Sequence, residues 1–455
     1  MISAFTNAFK IPELKKRLIF TLWIVVLTRI GAAIPVPGVD ANVLADIFRN
    51  MEKTHGGSFM ALLNIFSGGA IEHLAIFSLT VMPYISASII MQLLTAVIPQ
   101  LSKIAREEGG RQKITQYTRY FTVAIALFQS FVMAKGFEHP DTLRRVSGFT
   151  GLNVSPVVDP GLFFELTTMF TLTCGTILMM WLGEQITERG IGNGISMLIA
   201  TNILARFPGA VINAVRLFFP PAGQEAQYNL FHAVLFIGMF LSVIAAVILI
   251  TQAQRRITVQ YAQRMVGRKV YAGGQTYMPL KANYSGVMPI IFASAILMLP
   301  QFFFGWFHVE WLNRILDYLN RGSWVYMGVY SVLIFGFSFF WVATMFNPIQ
   351  IADDLKKHGG YVPGVRPGKP TADFLEFTMT RITFAGAIFL IVVAILPTVL
   401  HNLLNLDFTT TSFFGGTSLL IVVGVLLDTL RQIETHLITR NYEGFLKKGR
   451  MRGRI

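Results

Sequence analysis

The chain has 455 residues, of which 53% are hydrophobic and only 14% charged, with a formal net charge of +14. Soluble domains carry about a quarter charged residues, so this composition excludes an ordinary water-soluble enzyme or binding module and points to a surface that lies in lipid. A single cysteine, Cys174, excludes an intrachain disulfide and a cysteine-based metal site.

Apolar runs close to the ~20 residues that cross a hydrocarbon core predict ten spans. The first, near 18 to 37, follows Lys15, Lys16 and Arg17 directly and is long enough to stay in the bilayer rather than be cleaved as a signal segment. Next comes FMALLNIFSGGAIEH (59 to 73), which is apolar, too short to span and broken by Gly68-Gly69. It is expected either to lie at the interface as an amphipathic stub or to fold back into a cavity formed by other helices. Spans follow near 74 to 98, 117 to 137, 161 to 183, 191 to 213 (interrupted by Arg206 and Pro208), 230 to 251, 285 to 305, 324 to 346, 379 to 400 and 412 to 433.

Ten spans put both termini on one face. With the N-terminus inside and span ends assigned to the nearer face, the inner segments hold 28 basic and 12 acidic residues and the outer ones 10 and 12. That is the bias that orients a chain, so both termini are expected to be cytoplasmic. Charges beside a span serve topology and anionic lipid. Two inner connections are too long for that role alone: 252 to 284, with Arg255, Arg256, Arg264, Arg268, Lys269 and Lys281 and no acid, and 347 to 381. Loops of roughly thirty residues are usually there to bind.

The second connection contains GGYVPGVRPGKP (359 to 370), four glycines and three prolines in twelve positions. It lies between NPIQIADDLKKH, where Pro348 suits a helix start and Gly359-Gly360 a stop, and TADFLEFTMTR, a second candidate helix. Glycine turns and proline stiffness predict a shaped finger with Arg366 near its tip. A stiff finger loses little entropy on docking, and the arginine fork suits carboxylate or phosphate, so an acidic protein or RNA is the expected partner.

Enzyme motifs fail. Gly368-Lys369 is no P-loop, because Pro363 replaces the first glycine and Pro370 follows the lysine. Gly194-Ile195-Ser196 is followed by Met197 rather than glycine, and His73, His232, His401 and His436 all fall at span ends, which argues against an intramembrane hydrolase. A secondary transporter would need midplane ionisable groups. Arg29, Glu165 and Asp428 lie near span ends instead, while the middles hold Thr80, Ser86, Ser88, Gln92, Gln129, Thr173 and Ser294, residues of the kind that pack membrane helices. A secondary transporter and a passive membrane scaffold stay open as readings, and no cofactor or metal is implied.

Long stretches of the chain resemble the SecY family, whose members are central subunits of the bacterial protein-conducting channel. They include RIGAAIPVPGVD (29 to 40), FSGGAIEHLAIFSLTVMPYISASII (66 to 90), QYTRY (116 to 120), WLGEQITERGIGNGIS (181 to 196), QAQRRITVQYAQRMVGRKVY (252 to 271), NPIQIADDLKKHGGYVPGVRPGKPTADFLE (347 to 376) and FFGGTSLLIVVGVLLDTLRQIETHL (413 to 437). Outer loops 138 to 160 and 306 to 323, and GGQTYMP at 273 to 279, depart from the family's wording.

The resemblance implies an all-α polytopic membrane protein of ten transmembrane helices in two pseudo-symmetric inverted halves, 1 to 225 and 226 to 455, forming a clamshell channel in the bacterial cytoplasmic membrane. The stub at 59 to 73 would be a plug, with Phe66, Ser67, Gly68, Gly69 and Ala70 at its centre. Spans 2 and 3 facing 7 and 8 would form a lateral gate that includes Ser86, Gln92, Gln129 and Ser294. A pore ring would fall on Val81, Ile85, Ile195, Ile199, Ile291 and Ile421; the pairs 81/85 and 195/199 are each i,i+4 on one helix face. Arg255, Arg256, Arg268, Lys269, Lys356, Lys357, Arg366 and Lys369, on the loops 252 to 284 and 347 to 381, would dock the SecA motor ATPase or the ribosome and its RNA. Further implied partners are small SecE-like and SecG-like membrane subunits, signal-bearing polypeptides and membrane lipid.

Overall fold

The computed structural model describes residues 11–54, 64–107, 109–138, 156–219, 230–261, 264–266, 269–271, 274–284, 286–304, 323–404 and 417–448. Helix α1 (Pro12–Ala33) begins on a proline, whose missing N–H is harmless in a first turn, and ends where Ile34 turns extended before Pro35. The short α2 (Ala41–Thr54) follows. Residues 64–81 then form a sequence of turns: one helical turn at 64–67, a 3-10 turn at Ile71–His73, and left-handed φ of 41° at Leu74 and 54° at Thr80.

These turns correct the expected second span. Helix α3 covers only Met82–Val97. Side chains at positive φ cannot continue a right-handed helix, and Pro83 fits only a first turn, so Thr80 sits ahead of the helix rather than in mid-span. At Ile98 the backbone turns extended before Pro99, and α4 (Pro99–Arg106) leaves at 105° to α3.

Helices α5 (Gly110–Glu138) and α6 (Leu162–Arg189) pack on each other and on α3. The expected interruption near Arg206 is present: α7 (Gly194–Ala205) ends there and α8 (Phe207–Phe218) restarts with Pro208 in its first turn. The Asn193 side chain caps α7 by accepting from the Ser196 N–H at 3.2 Å. Helix α9 (Leu230–Gln252) leads into the first long connection.

That connection is a β-hairpin, which corrects the expectation of a purely helical chain. Strand β1 (Gln254–Tyr261) pairs antiparallel with β4 (Gln275–Lys281), and β2 (Arg264–Val266) pairs with β3 (Lys269–Tyr271) farther along the same arm. The missed signal was RITVQY, in which Ile257 and Val259 are buried while Arg256, Thr258 and Gln260 are not. This period of two is the mark of a half-buried strand.

Helices α10 (Met288–Phe304) and α11 (Trp324–Met345) pack on each other, and α12 (Pro348–Lys357) opens the second connection. Asn347 caps α12, and Gly359 stops it at φ 72°. Strand β5 (Gly360–Tyr361) joins the edge of β1. The candidate helix at 371 to 381 and the ninth span are one element, α13 (Lys369–Leu404), and α14 (Thr417–Lys448) runs past the expected end of the tenth span.

A helix therefore occupies each of the ten expected places, but crossings are fewer by length and apolarity. Among the described residues six helices qualify, or seven with the bent α3–α4 pair. The exceptions have local causes: Lys15, Lys16, Arg17 and Arg29 crowd α1, Asp428, Arg431 and Glu434 interrupt α14, and α10 has only 17 residues. The architecture is a mostly helical polytopic membrane fold that carries, among the described residues, two small sheets, β4-β1-β5 and β2-β3.

Candidate functional site

Aliphatic residues from four separate segments meet in one buried cluster. Val81 at the N-cap of α3, Ile85 on α3, Ile199 on α7, Ile291 on α10 and Ile421 on α14 are all at most 6% exposed, and Ile195 packs partly buried against the same cluster. Packing explains the convergence: α3 touches α10, and α7 touches α14. Phe66 and Ile71, from the turns at 64–73, belong to this cluster too. All six residues named as a ring thus belong to or pack against one extended apolar cluster, which Phe66 and Ile71 of the segment named as a plug also join.

Toward the basic connections, the cluster adjoins a cavity of about 370 Å³ lined by residues that include Ser196, Asn283, Ile291, Val425, Asp428 and Gln432. Its lining mixes these polar groups with apolar ones such as Val247, Val287 and Leu420. Gln432 reaches across it, its Oε1 accepting from the Gly192 N–H at 2.8 Å and so joining α14 to the α6–α7 turn.

Within the plug segment Phe66, Ser67 and Ala70 are buried, while Gly68 and Gly69 take φ of 64° and 90°. The turn closes on itself: Gly69 N–H donates to the Asn64 carbonyl at 3.1 Å, and Ser67 Oγ accepts from Ile71 N–H at 3.3 Å. Contacts to the surrounding helices are polar and were not anticipated from sequence. Arg29 of α1 donates to the Gly68 carbonyl at 3.4 Å and to Asn202 of α7, and Arg206 pairs with Glu72, whose Oε1 also accepts from Asn64 at 2.6 Å. Sequence placed Arg29 near a span end without a partner, and no local spacing links it to residue 68 or 202.

Of the four gate residues, Ser86 on α3, Gln129 on α5 and Ser294 on α10 are buried, and Gln92 on α3 is half-buried, donating to Ser88 at 3.2 Å. Ser294 Oγ donates to its own helix at the Ile291 carbonyl, 2.8 Å. Helices α3 and α10 are in contact, and α3 also packs on α5.

The residues expected to dock a partner lie on β1, β3, the end of α12 and the finger. Arg255 and Arg256 are exposed on β1, Lys356 and Lys357 at the end of α12, and Arg366 and Lys369 on the finger and its exit. Lys269 lies on β3, and Arg268 lies outside the described residues. Beneath the exposed cations is a pedestal in which Ile257, Leu280, Val342, Phe346, Val362, Leu375 and Met379 share one buried cluster, so sheet, finger and the ends of α11 and α13 are packed as a unit. The finger itself turns on Gly364 and Gly368, at φ 82° and 97°, and Thr371 Oγ1 ties down the Arg366 carbonyl at 2.8 Å.

Comparison with known proteins meets this geometry from outside. A family model described as SecY matches residues 75–430. The protein translocase subunit SecY of Thermotoga maritima is 42% identical over 100% of both chains, and that of Escherichia coli K12 is 43% identical over 97% of this chain and 96% of its own. Among solved structures, a protein-conducting channel aligns with TM-score 0.62 at 18% identity, covering 95% of this chain and 97% of that one. A SecY structure concerned with a plug domain that stabilizes the closed state and maintains a membrane seal aligns with TM-score 0.60 at 18% identity and the same coverage. A canine ribosome-channel complex from the endoplasmic reticulum aligns with TM-score 0.59 at 17% identity over 95% and 97%. These structures share the fold, and the full-length identity to curated relatives decides the lineage: the chain belongs to the SecY family.

Proposed function

We propose that this chain is the channel subunit of a protein translocase, which conducts unfolded secretory polypeptides across the cytoplasmic membrane and releases membrane segments sideways into lipid. It is not an enzyme; the energy comes from a docked SecA motor or a translating ribosome. The observation that carries this reading is the apolar cluster that Val81, Ile85, Ile199, Ile291 and Ile421 share with Phe66 and Ile71 of the turns at 64–73. A sealed apolar neck with a removable stopper suits a pore that must pass many sequences and few ions. Residues 1 to 225 and 226 to 455 would be its two halves, which touch through α3–α10, α7–α14 and α8–α9. A helix at each of the ten expected places would cross the membrane, including the charge-bearing α1 and α14 and the short α10.

Both termini would be cytoplasmic, which puts the basic sheet and finger on the inner face where motor or ribosome arrives. Docking by ribosomes is favoured by the fold shared with the canine ribosome-channel complex and by cations suited to RNA phosphate. SecE-like and SecG-like subunits would cover part of the exposed apolar surface, for example Phe231, Val234 and Leu241 on α9. Import of a secretory precursor into vesicles holding the reconstituted complex, with and without SecA, tests the reading. ATP-dependent import only when both are present is expected. Uptake of a small solute instead would indicate a secondary transporter, and no transport of either kind a scaffold.

The side exit is the contact between α3 and α10. Cysteines replacing facing residues near Ser86 and Ile291, chosen so that their Cα atoms lie within about 7 Å, are expected to block translocation when oxidised and to restore it on reduction. Full transport through the oxidised crosslink would remove this contact from the gate.

A further inference from the structure

The turns at 64–73 hold themselves together, but their attachment to the rest of the chain is selective. Two arms reach them. In the first, the Arg29 guanidinium bridges the Gly68 carbonyl and Asn202. In the second, Arg206 pairs with Glu72, and Glu72 passes the contact to Asn64, which is fully buried in the segment's first turn. The fit at the first arm is tight: a Cβ on Gly68 would lie 2.7 Å from Arg29 Nη1 and from the Asn202 carbonyl oxygen. No larger residue could occupy that position without displacing the arm.

The first arm ends on α7 at Asn202 and the second on Arg206, the C-cap residue just past it, and their spacing is informative. Ile195, Ile199, Asn202 and Arg206 stand at i, i+4, i+7 and i+11, a single stripe down one face of the helix. The inner half of the stripe is aliphatic and belongs to the proposed neck; the outer half is polar and grips the turns. One rigid helix therefore presents seal and grip together. Any displacement of α7 that widens the neck also pulls Asn202 and Arg206 away from Gly68 and Glu72.

We infer that Arg29, Asn202, Glu72 and Arg206 form a polar latch that keeps the segment seated and sets how strongly a signal segment must bind before the channel opens. The inference rests on the reading of residues 59 to 73 as a plug. Its physical logic is differential binding: a signal segment shifts the closed-to-open equilibrium only by its preference for the open state, and each latch contact adds to the difference it must overcome. Charge-assisted contacts of this kind, sheltered from bulk water, are stronger than their surface counterparts. A latch made of them discriminates between strong and weak signal segments without touching either.

The test uses the whole chain in membrane vesicles with its partner subunits, and two readouts. One is transport of a precursor whose signal segment is weakened by two polar substitutions. The other is the labelling rate of Ser67→Cys, in a Cys174→Ala background, by a membrane-impermeant maleimide added from the outer side; Ser67 is 1% exposed in the seated segment. Glu72→Gln and Arg206→Gln are each expected to raise transport of the weak precursor by about tenfold, the effect of one lost charge-assisted contact, and to speed labelling in parallel. The exchanged pair Glu72→Arg with Arg206→Glu is expected to return both readouts toward the parent.

Labelling that stays at the parent rate in both single variants would overturn the latch, as would an exchanged pair as loose as either single. Deleting residues 60 to 73 separates the two levels. A rise in ion conductance on deletion, with labelling unmoved by Glu72→Gln, leaves the plug standing and removes the latch. No rise on deletion removes the plug and the latch with it.

Discussion

Arg366→Glu is expected to abolish motor-driven secretion while the chain remains folded, inserted and present at its normal level. Arg366 is exposed on the finger, and its backbone is fixed from both sides: Val365 N–H donates to the Val362 carbonyl at 3.1 Å and Thr371 Oγ1 holds the Arg366 carbonyl. Val362 is anchored in the pedestal, and Tyr361 of β5 pairs with Gln260 of β1, its hydroxyl donating to the Gln260 side chain at 3.0 Å. None of these contacts uses the guanidinium, so its replacement leaves the finger's shape intact.

What changes is the charge shown to the partner. A preformed turn loses little entropy on docking, so most of what the arginine gains by pairing appears as affinity. Reversal replaces that gain by repulsion, which costs several kcal/mol at an interface; ~3 kcal/mol is about a hundredfold in affinity. Arg366→Lys, which keeps the charge and loses the fork, should fall between the two. Precursor import into vesicles, with the amount of inserted chain measured alongside, decides the matter. Normal import by the Glu variant would take Arg366 out of the docking surface.

Helices were legible in this sequence because lipid enforces a simple signal, some twenty apolar residues with every backbone group bonded within the segment. Their ends were legible where proline or glycine marks them, as at Pro348 and Gly359-Gly360. The signal failed where the backbone departs from that rule. Residues 74 to 81 are as apolar as a span, and only left-handed φ at Leu74 and Thr80 shows that they are turns. RITVQY carries a strand alternation, but it follows Arg255 and opens on Arg256 in a connection rich in basic residues and without an acid, a composition that reads as a binding loop. The two parts of the site differ in the same way. Val81/Ile85 and Ile195/Ile199 are visible as i,i+4 pairs, yet aliphatic pairs line lipid as often as a pore, and only the family resemblance singled them out. Arg29, Asn202, Glu72 and Arg206 were invisible as a group because three of them lie on different segments and their meeting depends on how the turns at 64–73 are seated. Long-range polar contacts have no local period to betray them.

Replacing Ile85, Ile195 and Ile291 together by Asn is expected to open the idle channel to ions. A pore wide enough for an extended polypeptide must not leak across an energised membrane, and a narrow aliphatic neck prevents this by shedding water, since ions do not cross without their hydration shells. Contact with a passing chain through such side chains is dispersion alone, with no hydrogen bond to break at each step. Ile85 and Ile291 are 6% and 5% exposed, and both share the cluster against which Ile195 packs. Three amides placed there cannot all find partners among aliphatic neighbours, and an unpaired buried amide costs ~1–3 kcal/mol, so they recruit water. If the wet neck lowers the barrier to ions by only ~1.4 kcal/mol, resting conductance rises about tenfold. Phe66 and Ile71 contribute to the same cluster, so the seated segment should mask part of the leak, and deleting residues 60 to 70 should expose the rest. Ile→Leu at the same three positions keeps the neck apolar at equal volume and should behave nearly as the parent does. Planar-bilayer recordings of parent, polar triple and leucine triple, each with and without the deletion, make the comparison. A polar triple that conducts no more than the parent even without residues 60 to 70 would mean that these isoleucines do not form the seal and that the pore runs elsewhere.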